Sequence, residues 1–129
     1  MIVDVHVHPP KQMETQAEAQ LSKPGYRGDK QYKTNVGWEE FQRDMAVVDK
    51  LIMLDVARGS RSRNDEMARY ARMWPEKIVP FAAVDPTDPG AMQELERCVG
   101  ELGMKGIKIS PHYQIFDPMD PRACALYAW

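Results

Sequence analysis

Four short apolar runs recur along the chain: Ile2 to Val7, Leu51 to Val56, Ile78 to Val84 and Gly106 to Ile109. Each is rich in Val, Ile or Leu, and each is too short for an ordinary helix, which is the mark of strands buried on both faces of a parallel sheet. Between them the apolar residues space out helically. Trp38, Phe41, Met45 and Val48 fall at steps of three, four and three and predict a helix over Trp38 to Asp49. Met67, Tyr70, Ala71 and Trp74 do the same for Arg63 to Trp74. Asp88-Pro89 reads as a cap and first turn for a third helix, which carries Met92, Leu95, Val99 and Leu102 on one stripe and stops at Gly103. A last helical segment starts near Pro121.

Strands alternating with helices demand a parallel sheet with right-handed crossovers. The later strands centre near Met53, Phe81 and Lys108, intervals of 28 and 27 residues, which suit successive βα units of a barrel. The expected fold is α/β: a (βα)4 portion of a TIM-type (β/α)8 barrel, filling residues 1–129 as a single partial domain. The strand order is expected to be 1-2-3-4, with helices on the convex side and Val3, Val5 and Val7 packed beneath them. One connection breaks the rhythm. Residues 10–36, with Pro24, Gly25 and Gly28, form a long polar loop after the first strand in which only Glu14 to Leu21 has helical character. A functional loop at the catalytic face and a disordered insertion both fit it.

Composition narrows the class. At 43% hydrophobic and 28% charged residues the chain is globular, and a net charge of -2 with no dense basic block argues against nucleic acid as a partner. The longest apolar run, Leu51 to Leu54, cannot cross a bilayer, and no basic segment followed by an apolar core opens the chain. Cys98 and Cys124 lack metal-type spacing and read as reduced thiols, pointing to the cytoplasm.

The chemistry concentrates in Asp4-Val5-His6-Val7-His8-Pro9. Residues two apart on a strand share a face, so Asp4, His6 and His8 look one way and the valines the other. Two imidazoles side by side at the C-terminal end of a strand can bind one divalent ion, at about 2.0–2.1 Å each for zinc. His6 and His8 are therefore the candidate metal ligands, and Asp4, one layer deeper, is a candidate support for them.

The segment Ile2 to Pro9 resembles the opening strand of the amidohydrolase-related family, the branch of the amidohydrolase superfamily that includes decarboxylases of the aminocarboxymuconate-semialdehyde type. Pro80-Phe81-Ala82-Ala83-Val84-Asp85-Pro86 is similar to the family's third strand. Gly103 to His112, with Phe116, Asp117-Pro118 and Asp120-Pro121, is similar to the fourth strand and its loop. The resemblance implies the N-terminal half of the barrel. It also implies a fifth-strand histidine and an eighth-strand aspartate completing the metal site, with a further histidine near the sixth strand for acid-base work, all expected beyond Trp129. Two further residues are candidate substrate contacts: Lys108, expected to point inward and to pair with a carboxylate or a substrate anion, and His112 in the following loop. Asp55 and Asp85 end strands and suit the site or turn roles, and Asp85, which precedes Pro86, is expected in the turn role. Arg58, Arg61 and Arg63 suit either a carboxylate substrate or a solvated loop.

The first functional expectation is a metal-dependent hydrolase, with zinc as the ion, acting on a small carboxylated or cyclic substrate through metal-activated water. The alternative is a metal-dependent non-oxidative decarboxylase of the same family. The second alternative is a catalytically incomplete fragment. The unpaired strand edges of a half-barrel further predict a homo-oligomer or completion by a second half-barrel.

Overall fold

The computed structural model describes residues 1–10 and 36–129; most of the long loop, including Glu14 to Leu21, lies outside them. Two compact units emerge, one made of Met1–Pro9 with Val48–Trp129 and the other of Pro10–Val47. In the second unit, helix α1 (Trp38–Asp44) tightens into a 3-10 turn over Met45–Val47, so the helix expected to reach Asp49 ends early. Trp38 stacks on Phe41 with ring centroids 5.8 Å apart.

The first unit holds the sheet. Strands β1 (Val3–Val7), β2 (Lys50–Met53) and β3 (Ile78–Pro80) pair in parallel in that order, and β4 (Ala82–Ala83) pairs in parallel with β5 (Ile107–Lys108). The run expected as one third strand is thus divided at Phe81, where it changes partner. Phe81 donates its N–H back to Met53 at 2.9 Å, whereas Ala82 donates to Gly106 at 2.7 Å. Because Lys105 also donates to the Pro80 carbonyl at 2.9 Å, the neighbours follow the expected order 1-2-3-4 once β3 and β4 count as the third strand. This is a partial barrel of parallel strands.

Helix α2 (Asn64–Met73) packs on β3, and α3 (Ala91–Gly100) packs on β4. The buried core is Leu51 and Met53 from β2, Ile78 from β3, Ala82 to Val84, Met67 and Leu95 from the helices, and Met104 before β5. The stripe on α3 sits one residue away from the expected one. Ala91, Leu95 and Cys98 are buried, while Met92, Val99 and Leu102 line its margin. Gly103 adopts φ +71 just past the helix, the left-handed stop that glycine allows most easily. Short helices α4 (Pro111–Gln114) and α5 (Pro121–Tyr127) follow β5, and Asp120 caps the latter by accepting the Arg122 N–H. Cys98 and Cys124 are free thiols, and burial pushes Cys98 up to about 12. No helix among the described residues is long and apolar enough to cross a membrane.

One expectation about packing is corrected. Val7 is buried at 5% exposure, but Val3 and Val5 remain 41% and 63% exposed. β1 is an edge strand, and the helices of its unit cover β3 and β4, so the outer face of β1 lacks the layer that would bury these two valines.

Carboxylates tie the helices and loops together. Arg97 on α3 makes paired hydrogen bonds to Asp65 of α2, both 3.0 Å, and also binds Glu94. The Arg97 hydrogen bond, aided by one from Asn64, holds Glu94 below its ordinary value against the effect of burial. Burial also pushes Asp85 upward, but N–H donors from Gly59 and Thr87 and the Thr87 hydroxyl outweigh it and leave the pKa lowered. A carboxylate lowered by folding stabilises the fold fully above its unfolded value and loses that contribution as pH falls through the folded one. Urea midpoints should therefore drop as pH falls below the ordinary values of 4.5 for Glu94 and 3.8 for Asp85. In the Glu94→Gln, Asp85→Asn double variant the acid limb should be flatter; an unchanged limb would remove both groups from the account.

Candidate active site at the strand ends

β1 delivers His6 and His8 to one side of the strand, with ring centroids 5.2 Å apart and planes inclined by 52°. Asp4 is half-buried and uses one carboxylate oxygen to accept the His6 backbone N–H at 3.0 Å. Its visible role is thus to brace the strand rather than to orient an imidazole.

The side chain that does approach an imidazole is Asp55, just beyond β2. Its Oδ1 lies 3.5 Å from His8 Nδ1 and also accepts the Val56 N–H at 2.8 Å. On its other side, Arg63 Nε is 4.0 Å from Asp55 Oδ2 and 2.6 Å from Glu66 Oε2, and Arg63 Nη1 donates to the Pro9 carbonyl at 3.2 Å. Burial works against the Arg63 charge, but the Glu66 hydrogen bond and the Glu66 and Asp55 carboxylates raise its pKa above the ordinary value. The result is a row from His8 through Asp55 and Arg63 to Glu66 that joins the ends of β1 and β2 to the start of α2.

Lys108 is half-buried on β5, and among the described residues no carboxylate lies within ion-pair range of it, so the expected carboxylate partner is not found there. His112 is exposed on α4, edge-on to Tyr113 with centroids 5.3 Å apart. Neither is brought against the histidine pair by a hydrogen bond or ion pair. Among the described residues, no three His, Cys, Asp or Glu side chains converge as a metal site.

Two groups that the sequence pattern did not single out, Gln114 and Asn64, hold this end of the sheet together with Asp85, which it did. Gln114 is buried and donates to the carbonyls of Ala57 and Val84 at 2.9 and 2.8 Å, while accepting the Ser110 N–H at 2.7 Å. It therefore pins α4 across the ends of two strands. Its sequence signal was a lone amide inside the apolar stretch Tyr113 to Phe116. Asn64 does the same for β4 from the start of α2. Asp85 takes the expected turn role: Oδ1 accepts from Thr87 N and Oγ1, and Oδ2 accepts from Gly59 N at 2.7 Å. A cleft of about 420 Å³ opens at the β2–α2 loop beside Asp55. The larger cleft, about 680 Å³, lies against α3; neither cleft is lined by a histidine, but the smaller one is lined by Asp55, which reaches His8 at 3.5 Å. Both lie beyond the carboxyl ends of strands, where parallel α/β sheets bind ligands, and the smaller one has the better claim through the Asp55 contact with His8.

A family model described as amidohydrolase matches residues 3–129. The chain belongs to the amidohydrolase family. Similar curated proteins include the gamma-resorcylate decarboxylases of Rhizobium radiobacter, 34% identical, and of Rhizobium sp. (strain MTP-10005), 32% identical. Each alignment spans 77 residues, 59% of this chain and 23% of the relative. Among solved structures, the 2,6-dihydroxybenzoate decarboxylase from Rhizobium superposes with a TM-score of 0.62 at 20% identity, covering 98% of this chain and 45% of that one. A 2,6-dihydroxybenzoate decarboxylase complexed with 2,6-dihydroxybenzoate superposes with a TM-score of 0.64 at 19% identity, with coverages of 98% and 46%. These structures share the fold, and the chain spans a little under half their length. The matched relatives are decarboxylases, so the comparisons favour the decarboxylase alternative over the hydrolase placed first on the sequence.

Proposed function

We propose that this chain forms the metal-binding half of a non-oxidative decarboxylase acting on a hydroxylated aromatic carboxylate. The observation that carries the reading is the His6–His8 pair, side by side at the C-terminal end of a parallel strand, in a family member similar to decarboxylases of such acids. The donor set suits a divalent ion. Both ligands are imidazoles, His8 is 54% exposed at its side chain, and a carboxylate stands at its Nδ1. His6 and His8 would hold the ion, which supplies Lewis acidity toward a substrate oxygen when bound. With Asp55 Oδ1 3.5 Å from His8 Nδ1, Asp55 would accept the Nδ1–H and leave Nε2 with its lone pair for the metal. Lys108 and His112 would meet the phenolic oxygens of the substrate. Replacing C–CO2 by C–H requires a proton donor, for which the family resemblance points to a histidine outside this chain.

The test supplies the chain with a divalent ion and 2,6-dihydroxybenzoate carrying a carboxyl label, and measures released label beside hydrolysis of amide and lactone substrates. Label release that disappears in His6→Ala, His8→Ala supports the reading, and hydrolysis without label release sinks it. Silence in both assays with metal bound would favour a second reading, supported by the half-length coverage of the solved relatives: a half-barrel whose reaction needs complementary strands.

The role given to Asp55 has its own consequence. Asp55→Asn should weaken binding of the divalent ion by about 10–100-fold, the usual cost of losing a partner that orients a metal-bound histidine. The check is a titration of both proteins at one pH, with circular dichroism to establish that the fold is kept. Equal affinities would reduce the His8 contact to a passing neighbour.

A further inference from the structure

The loop between β2 and α2 carries Arg58, Arg61 and Arg63, and their surroundings divide them. Arg63 faces Asp55 and Glu66. Arg58 and Arg61 have no carboxylate within ion-pair range among the described residues; Asp85 accepts from the Gly59 N–H, and Asp55 and Glu66 face Arg63. The backbone nonetheless forces these two cations together. Arg58 and Arg61 exchange both backbone hydrogen bonds, at 3.0 and 3.1 Å, across a turn that Gly59 makes possible at φ +57. Residues paired in this way sit directly opposite one another, and like charges in that arrangement repel. Both line the cleft of about 420 Å³, together with Ser62 and with Asp55, the residue that reaches His8 at 3.5 Å. Two arginines whose backbones are locked together, with no carboxylate partner among the described residues, on one wall of a cleft whose Asp55 reaches His8 are the arrangement that a carboxylate would complete, since planar N–H forks match its two oxygens.

We propose that Arg58 and Arg61 form a clamp for the carboxylate of an aromatic acid, holding it at the cleft that borders His8. The assignment of the ligand rests on the decarboxylase reading; the clamp itself rests on the turn and the cleft. Binding needs no metal, and it is electrostatic, so it weakens as salt rises.

The experiment titrates 2,6-dihydroxybenzoate into the 129-residue chain in the presence of a chelator, following amide shifts by NMR. The expected result is saturable binding that falls at least ~10-fold in Arg58→Gln, Arg61→Gln, by analogy with the strength of charge-assisted hydrogen bonds. Arg58→Lys, Arg61→Lys should recover part of it. A charge-matched control, Arg43→Gln with Arg72→Gln, should bind like the parent, and melting curves establish that each variant is folded. The parent ring without its acid group, 1,3-dihydroxybenzene, should show no dependence on the two arginines. Equal binding by parent and double glutamine variant overturns the clamp, as does absence of carboxylate binding by the parent. Tighter binding of inorganic phosphate than of the aromatic acid overturns the ligand assignment. The two readings fail separately: carboxylate binding through the arginines without label release rejects the decarboxylase but keeps the clamp, and label release with arginine-independent binding does the reverse.

Discussion

Titrating zinc into the His6→Ala, His8→Ala double variant should give no heat beyond dilution, whereas the parent chain should bind one ion weakly. The size of the difference follows from the donor count. Losing one outer partner of a metal-bound histidine already costs about 10–100-fold in affinity, so removing both imidazoles should exceed ~100-fold. Weak binding by the parent follows from the same count, because two histidines satisfy half of a tetrahedral ion and no third His, Cys, Asp or Glu joins them among the described residues. The single variants sharpen the test. His6→Ala and His8→Ala should each lose most of the binding, since one imidazole alone holds an ion poorly. Tight one-to-one binding by the parent would mean that a third ligand has been missed, with Asp4, Asp55, Lys108 and His112 the residues to replace next. Undiminished binding by the double variant would remove the metal from this end of the sheet altogether.

The parallel arrangement was legible because period and length carry it. Short Val- and Ile-rich runs alternating with 3.6-residue stripes leave few other arrangements open, and Gly103 announced the end of α3 by the conformation only glycine adopts freely. What the pattern could not show is which neighbour each residue would face. The third run looks continuous from Ile78 to Val84, yet Phe81 still bonds to β2 and Ala82 already bonds to β5; alternate residues of one strand serve opposite neighbours, and apolar character does not record which. Val3 and Val5 were expected under helices because valine on a strand reads as buried. Burial, however, belongs to the layer that covers a strand, and β1 lies at the edge. The site divides similarly. His6 and His8 were legible from two-residue alternation, whereas the contact of Asp55 with His8 joins positions 47 apart and depends on sheet register. Polar residues that fasten loops from inside, such as Gln114 and Asn64, resemble surface residues in a sequence, because nothing local marks the backbone groups they satisfy.

Asn64→Ala should lower stability by about 3 kcal/mol or more and the melting temperature by on the order of 10 °C. The reason lies in the hydrogen bonds of β4. Along the third strand the backbone groups of alternate residues point to opposite sides, and Ala82 and Val84 donate toward β5. Ala83 points the other way, toward the space past Met53 where β2 has ended. Asn64 fills the missing position. Its Oδ1 accepts the Ala83 N–H at 2.9 Å and its Nδ2 donates to the Ala83 carbonyl at 2.9 Å, so a side-chain amide substitutes for the next residue of the neighbouring strand. The same nitrogen donates to Glu94 Oε1 at 2.8 Å, and the whole residue is fully buried. Alanine leaves a donor and an acceptor in the interior without partners, each costing ~1–3 kcal/mol, and no solvent is at hand to replace them. Asn64→Asp makes the argument specific: it keeps the shape and the acceptor but sets a carboxylate against the Ala83 carbonyl and Glu94, so it should be at least as damaging at neutral pH. Urea midpoints for the two variants decide the matter, and a loss under ~1 kcal/mol in both would show that water or a shifted strand supplies the missing partner. The effect should reach the site as well, because Asn64 follows Arg63 directly and anchors the end of the loop that carries Arg58 and Arg61. A folded Asn64→Ala chain, compared at a temperature where it is still native, should therefore bind an aromatic carboxylate more weakly than the parent.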